Sequence, residues 1–123
     1  MAVLENICRE RKAILYQLGS DFNIDKRNNK FDYKGIAFDL KELSILLPGG
    51  FQMINAALAI AAIETVRKKG ISVDEKSIRR GLKKVKLPAR LEVLCRKPLF
   101  ILDGAHNPGG IKVLSEELIK SFS

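Results

Sequence analysis

Leu99-Phe100-Ile101-Leu102 is a short apolar run that stops at Asp103-Gly104. The chain's only histidine, His106, follows, and Asn107-Pro108 then opens an amphipathic stretch. No other feature constrains the fold as much. An apolar run bounded by turn residues predicts a buried strand. Asn followed by Pro predicts an N-cap and a first helical position, where no backbone N–H is required. A strand that runs into a helix through Asp, Gly and His puts polar groups at the strand's carboxyl end, where open α/β sheets bind ligands. An Asp in that place can accept two hydrogen bonds from a ribose diol. It can equally do no more than shape a tight turn with Asn107, and this stretch alone leaves both readings open.

The remaining elements are read from periodicity and punctuation. Residues 2 to 18 fit an amphipathic helix with Val3, Ile7, Leu15 and Leu18 on one side and Gly19 as its C-cap. Residues 31 to 47 change to a period of two, which predicts an antiparallel meander, with Asn28-Asn29 as a turn before it. Pro48-Gly49-Gly50 breaks that pattern. A helix is expected from Gln52 to Lys69, Ala-rich for close packing and capped by Gly70. Gln52 and Asn55 fall in its first turn, where side-chain amides can meet the edge of a planar heterocycle or serve only as caps. Ser72-Val73-Asp74-Glu75 reads as a capping box with Ser72 as N-cap, opening a basic helix to about Val85. Pro88 reads as a hinge. Strands are expected at Leu91–Leu94 and Leu99–Leu102, and a last helix from Pro108 to about Ser121.

Composition narrows the class. At 123 residues the chain is one ordinary domain's worth, and its 46% hydrophobic content argues against disorder. Folded as one unit it would bury roughly 60–70% of its unfolded surface. No apolar run is long enough to span a bilayer, and Met1-Ala2-Val3-Leu4-Glu5-Asn6 lacks the basic n-region of a secretory signal. Cys8 and Cys95 are far apart and without a second histidine, so they read as reduced, buried cytosolic thiols rather than zinc ligands. Ten cations against two carboxylates lie between Arg67 and Arg90, an excess equal to the whole net charge of +8. Such a stretch is a solvated helix face, a field that attracts anions, or a nucleic-acid patch. It has no interleaved aromatic residues, which argues against the last.

Three segments taken in order narrow the function. Gly50-Phe51-Gln52-Met53-Ile54-Asn55-Ala56-Ala57-Leu58-Ala59, then Leu87-Pro88-Ala89-Arg90-Leu91-Glu92, then Ile101-Leu102-Asp103-Gly104-Ala105-His106-Asn107-Pro108 resemble the folylpolyglutamate synthase / dihydrofolate synthase family of the Mur ligase superfamily. The likeness extends weakly to Leu15–Phe22. It implies an α/β fold: the end of a central ATP-binding domain, built of helices and an antiparallel meander, over residues 1–88, and the first strands and helix of a Rossmann-like C-terminal domain over 89–123.

The resemblance also implies the chemistry. Family ligases activate a folate carboxylate with ATP and magnesium, and L-glutamate attacks the acyl phosphate. Asn55 matches the residue that lies against adenine, Arg90 the hinge arginine that reaches the phosphates, and Asp103 the aspartate that holds the ribose. His106 matches a histidine in the same signature, in a supporting catalytic role. Phe51 stands where a histidine is frequent, which alters the adenine pocket. Ala89 stands where a glycine is usual, which stiffens the hinge.

No Gly-x-x-x-x-Gly-Lys-[Ser/Thr] phosphate loop occurs in the chain. The phosphate loop and magnesium ligands are therefore expected before Met1, and the chain is read as a fragment that does not catalyse alone and tends to self-associate. The expected partners are ATP, folate and L-glutamate in the cytoplasm, without nucleic acid or membrane. The other readings are a Mur-type ligase for muramyl or cyanophycin-type substrates, and a small basic nucleic-acid or anion-binding module.

Overall fold

The computed structural model describes residues 2–67 and 69–122. Its main core is an antiparallel sheet crossed by one helix. Strands β1 (Asn23–Arg27), β2 (Lys30–Lys34) and β3 (Asp39–Leu43) lie in that order, with Ile24 opposite Tyr33 and Phe31 opposite Leu43. The β1–β2 turn falls on Asn28-Asn29 as expected, and Asn28 takes a left-handed φ of 52°, a conformation Asn tolerates better than most side chains. The meander therefore starts earlier than its alternation suggests. β1 reads Asn-Ile-Asp-Lys-Arg, with one half-buried side chain and four exposed ones, so it carries too little apolar signal. Past Leu43 the third alternating run, through Ile45 and Leu47, is irregular rather than strand.

The pairing register shifts between Phe31 and Tyr33, where an extra residue sits in β3. Glu42 there has φ 55°, and its N–H donates to Asp32 Oδ1 at 2.9 Å. This bulge lets both Leu40 and Leu43 turn inward.

Helix α1 spans Ala2–Glu10, α2 Phe51–Arg67. Met53, Ala56, Ala57, Ile60, Ala61 and Glu64 of α2 are buried against Phe22, Phe31, Tyr33, Leu40 and Leu43. Their spacing of three and four residues is one helical face. Small alanines let the helix axis approach the sheet closely. Gly70, with φ 88°, donates to Arg67 O at 3.0 Å and ends this region as expected; Lys68 lies outside the described residues.

The first helix is much shorter than residues 2 to 18. It ends at Glu10, Lys12 turns left-handed at φ 51°, and residues 13–17 run irregularly. That path brings Tyr16 against the core, and Leu18 bridges Phe22 around Gly19, whose φ is 95°. Tertiary packing overrides local helical preference here. Helix α3 (Glu75–Lys84) is capped by Asp74, not Ser72: Asp74 Oδ1 accepts from the Ser77 N–H at 2.8 Å, while Glu75 pairs with Arg79. Asp and Ser are nearly equal caps, so sequence alone does not choose between them.

Strands β4 (Glu92–Arg96) and β5 (Leu99–Leu102) form an antiparallel pair, and α4 (Pro108–Phe122) follows. β4 begins one residue later than expected, because Leu91 is buried with a left-handed φ of 50°. β5 is not buried: Phe100 is 63% exposed and Leu99 and Leu102 nearly half exposed. Cys8 is half-buried and Cys95 exposed, so neither thiol is the buried one expected.

Candidate functional site

Three stretches separated in sequence meet at one crevice of about 400 Å³. One wall is the start of α2, with Phe51 and Asn55. The other is the Asp103–Asn107 turn with the first turn of α4 and Arg90. The structure therefore brings Asn55, Arg90, Asp103 and His106 together. A further bond ties the same elements: the Gly50 N–H donates to Glu117 Oε2 of α4 at 3.0 Å.

The turn is built by the Asp103 carboxylate. Its Oδ2 accepts from the Leu91 N–H at 2.9 Å and its Oδ1 from the Ala105 N–H at 2.8 Å. Gly104 N–H donates to Ala89 O at 2.8 Å. Asp103-Gly104 thus fastens Ala89-Arg90-Leu91 to the end of β5. That linker is bent: Ala89 and Leu91 have φ of 55° and 50°. Side chains with a Cβ occupy this region only at a cost of about 1–3 kcal/mol each when surroundings hold them there. The Ala89 N–H also donates to Glu92 Oε2 at 2.8 Å. Asp103 therefore performs the turn-shaping role, and each carboxylate oxygen keeps a further lone pair for another donor.

Arg90 is exposed, and its guanidinium lies over Gly104: a Cβ at position 104 would come 2.6 Å from Arg90 Nη1. Gly104 is needed there for lack of a side chain, a role not read from the sequence although it stands inside the Asp103–His106 motif. Arg90 is the one arginine or lysine among the lining residues, and Asp103 the one carboxylate.

His106 Nδ1 lies 2.9 Å from Gly104 O. A carbonyl only accepts, so Nδ1 carries a proton and in the neutral ring Nε2 is the unprotonated nitrogen. Asn107 acts as the expected N-cap, its Oδ1 accepting from the Gly110 N–H at 2.8 Å. Gly109 and Gly110 keep the first turn of α4 free of side chains beside the crevice.

On the opposite wall Asn55 is exposed and donates from Nδ2 to Gln52 Oε1 at 3.0 Å. Gln52 does not reach the crevice as a heterocycle contact would require; it is 2% exposed. Among the described residues no group of acidic, histidine or cysteine side chains is placed to hold a metal ion.

No family model matches the chain. It is similar to the folylpolyglutamate synthase of Lacticaseibacillus casei, 34% identical over 84% of this chain and 26% of that protein. It is also 35% identical to the dihydrofolate synthase/folylpolyglutamate synthase of Bacillus subtilis, over 76% of this chain and 22% of that protein. Among solved structures, an FPGS–AMPPCP–folate complex superposes with a TM-score of 0.89 at 30% identity, over 99% of this chain and 31% of the other. Mycobacterium tuberculosis folylpolyglutamate synthase complexed with ADP and AMPPCP gives 0.87 at 28% identity, over 100% and 28%. The chain spans about a quarter of the length of the curated relatives it matches.

Proposed function

Because the chain falls in the folylpolyglutamate synthase / dihydrofolate synthase family, we propose that it is part of an ATP-dependent ligase that adds L-glutamate to folate. Residues 1–88 form the end of the central ATP-binding domain and 89–123 the start of the C-terminal domain. The observation that carries this reading is the crevice itself: Asn55, Arg90, Asp103 and His106, from three separate stretches, line one cavity of about 400 Å³.

In the proposed reaction a folate carboxylate oxygen attacks the γ-phosphorus of ATP, and ADP leaves. The amine of L-glutamate then attacks the acyl carbon, inorganic phosphate leaves with the electron pair, and the amine gives up a proton. Asn55 meets adenine. The lone pairs that Asp103 does not spend on Leu91 and Ala105 take the ribose hydroxyls. Arg90, held over Gly104, meets the phosphates, where charge develops. His106 is anchored through Nδ1 and presents Nε2 as an acceptor near the reacting groups. Magnesium would neutralise phosphate charge, and its ligands are sought outside the described residues. Arg80, Lys83, Lys84 and Lys86 make no ion pair among the described residues, so their field is free to draw anionic substrates toward the protein. No helix among the described residues is long and apolar enough to cross a membrane, and the proposed compartment is the cytoplasm.

The chain alone lacks a phosphate-loop motif and is proposed to be inactive alone. The test is calorimetry with ATP on the full-length protein. Asp103→Ala should weaken binding by about 1.5–3 kcal/mol, the size of charge-assisted hydrogen bonds. Unchanged affinity removes the ribose role. Folate- and glutamate-dependent ADP release by the 123-residue chain alone removes the claim that it is inactive.

A further inference from the structure

Gln52 combines two facts. It is 2% exposed, and its Nε2 is buried with no hydrogen-bond partner among the described residues. A buried donor left unmade is costly and needs a reason. The other half of the amide supplies one. Gln52 Oε1 accepts from Asn55 Nδ2 at 3.0 Å. Residues three apart share a helix face, so this bond runs from the packed side of α2 to its crevice side, where Asn55 is exposed.

The bond decides how the Asn55 amide is turned. An amide oxygen only accepts, so the Asn55 NH2 must face Gln52, and one of its two N–H groups is spent there. What remains for the crevice is one acceptor, Oδ1, and one N–H.

We propose that Gln52 is a positioning residue that fixes the Asn55 amide so that the crevice selects an adenine over a guanine nucleotide. This rests on the crevice being a nucleotide site. The N6/N7 edge of adenine offers one donor and one acceptor, the complement of what Asn55 shows. The O6/N7 edge of guanine offers two acceptors, and O6 would oppose Oδ1. Were both amides turned over, Gln52 Nε2 would hold Asn55 Oδ1, Asn55 would show two N–H groups, and guanine would fit instead. Base preference therefore reports the orientation of this pair directly.

The experiment measures ATP and GTP dissociation constants by calorimetry on the full-length protein, on Gln52→Met and on Gln52→Glu. The wild-type protein is expected to favour ATP by about tenfold to a hundredfold, the range of one bidentate base contact. Gln52→Met keeps the volume and removes the acceptor; the ATP-to-GTP preference should fall by about tenfold as the amide turns freely. Gln52→Glu removes the unpartnered donor, keeps an acceptor for the Asn55 N–H and should keep the ATP preference; it carries the test if Gln52→Met does not fold. An unchanged preference in Gln52→Met, a GTP preference in the wild type, or loss of the ATP preference in a folded Gln52→Glu protein overturns the inference. If the folded wild type binds neither nucleotide, the crevice reading falls and this inference with it. If it binds ATP and only the ratio fails to move, the role of Gln52 alone is refuted.

Discussion

The Tyr33 hydroxyl donates a 2.7 Å hydrogen bond to Glu64 Oε2, joining β2 to α2 inside the core. The same carboxylate accepts from the N–H groups of Ile36, Ala37 and Phe38 at 3.0, 2.8 and 2.6 Å. Glu64 is 2% exposed, so its charge is tolerated only because four donors converge on it. It closes the β2–β3 connection onto the helix that carries Asn55. Gly35 lies against this cluster, and a Cβ there would run into the Tyr33 ring and the carboxylate.

Glu64→Ala should therefore destabilise the chain by about 3 kcal/mol, since it leaves a buried hydroxyl and turn N–H groups without their acceptor. Glu64→Gln, which keeps one acceptor oxygen, should cost less. Urea unfolding followed by circular dichroism measures both. Equal stability of Glu64→Ala and the wild type contradicts the clamp.

The pair also sets a pH window. Burial pushes the Glu64 carboxyl up, but Tyr33 and the backbone N–H groups of Ala37, Phe38 and Ile36 together hold it below its ordinary value near 4.5. A depressed carboxyl contributes stability that is complete above that value and is lost as pH falls through its lower folded value. The Tyr33 hydroxyl is pushed the other way, first by burial and then by Glu64, well above its ordinary value of 10.0. Its contribution is complete below about pH 10 and declines as pH rises further. The urea midpoint should fall on both sides, and Glu64→Gln should flatten the acid limb. An acid limb of the same steepness in that variant counts against the assignment.

Gly104→Ala tests how Arg90 is held. The new Cβ would meet the far end of a flexible side chain rather than backbone. The fold should survive with a stability change below about 1 kcal/mol, while the guanidinium is displaced from the crevice. Nucleotide affinity of the full-length protein should drop by about tenfold, the loss of one charged hydrogen bond. Full affinity in a folded Gly104→Ala protein shows that the placement of Arg90 over Gly104 is immaterial.

The isolated chain should self-associate. Leu94, Leu99, Phe100 and Leu102 on the β4–β5 pair and Ile111 and Ile119 on α4 are all exposed. A two-stranded pair with unpaired edges and apolar side chains recruits further strands. The net charge of +8 opposes this, so the associated fraction should rise with salt. Sedimentation velocity that shows a monomer at high salt and high concentration refutes it.

Much of this was legible in the sequence because it is decided locally. Asn107 caps α4 and Pro108 starts it for reasons contained in two residues. Asn28-Asn29 turns the hairpin, and the alanine-rich composition of α2 marks it for close packing. The order of the three motifs named the residues of the crevice. The sequence did not say that residues 13–17 would leave the helix, because the pull comes from Tyr16 meeting a core built elsewhere. It did not choose Asp74 over Ser72. It placed Gln52 and Asn55 in one helical turn, but only the packed sheet sends Gln52 inward and leaves Asn55 at the crevice. Asp103 was named as a ligand residue, yet its bond to Leu91 depends on β5 returning beside the linker. Local chemistry sets caps, turns and periods. Burial, and the hydrogen bonds between distant segments that burial makes obligatory, exist only once the chain has closed on itself.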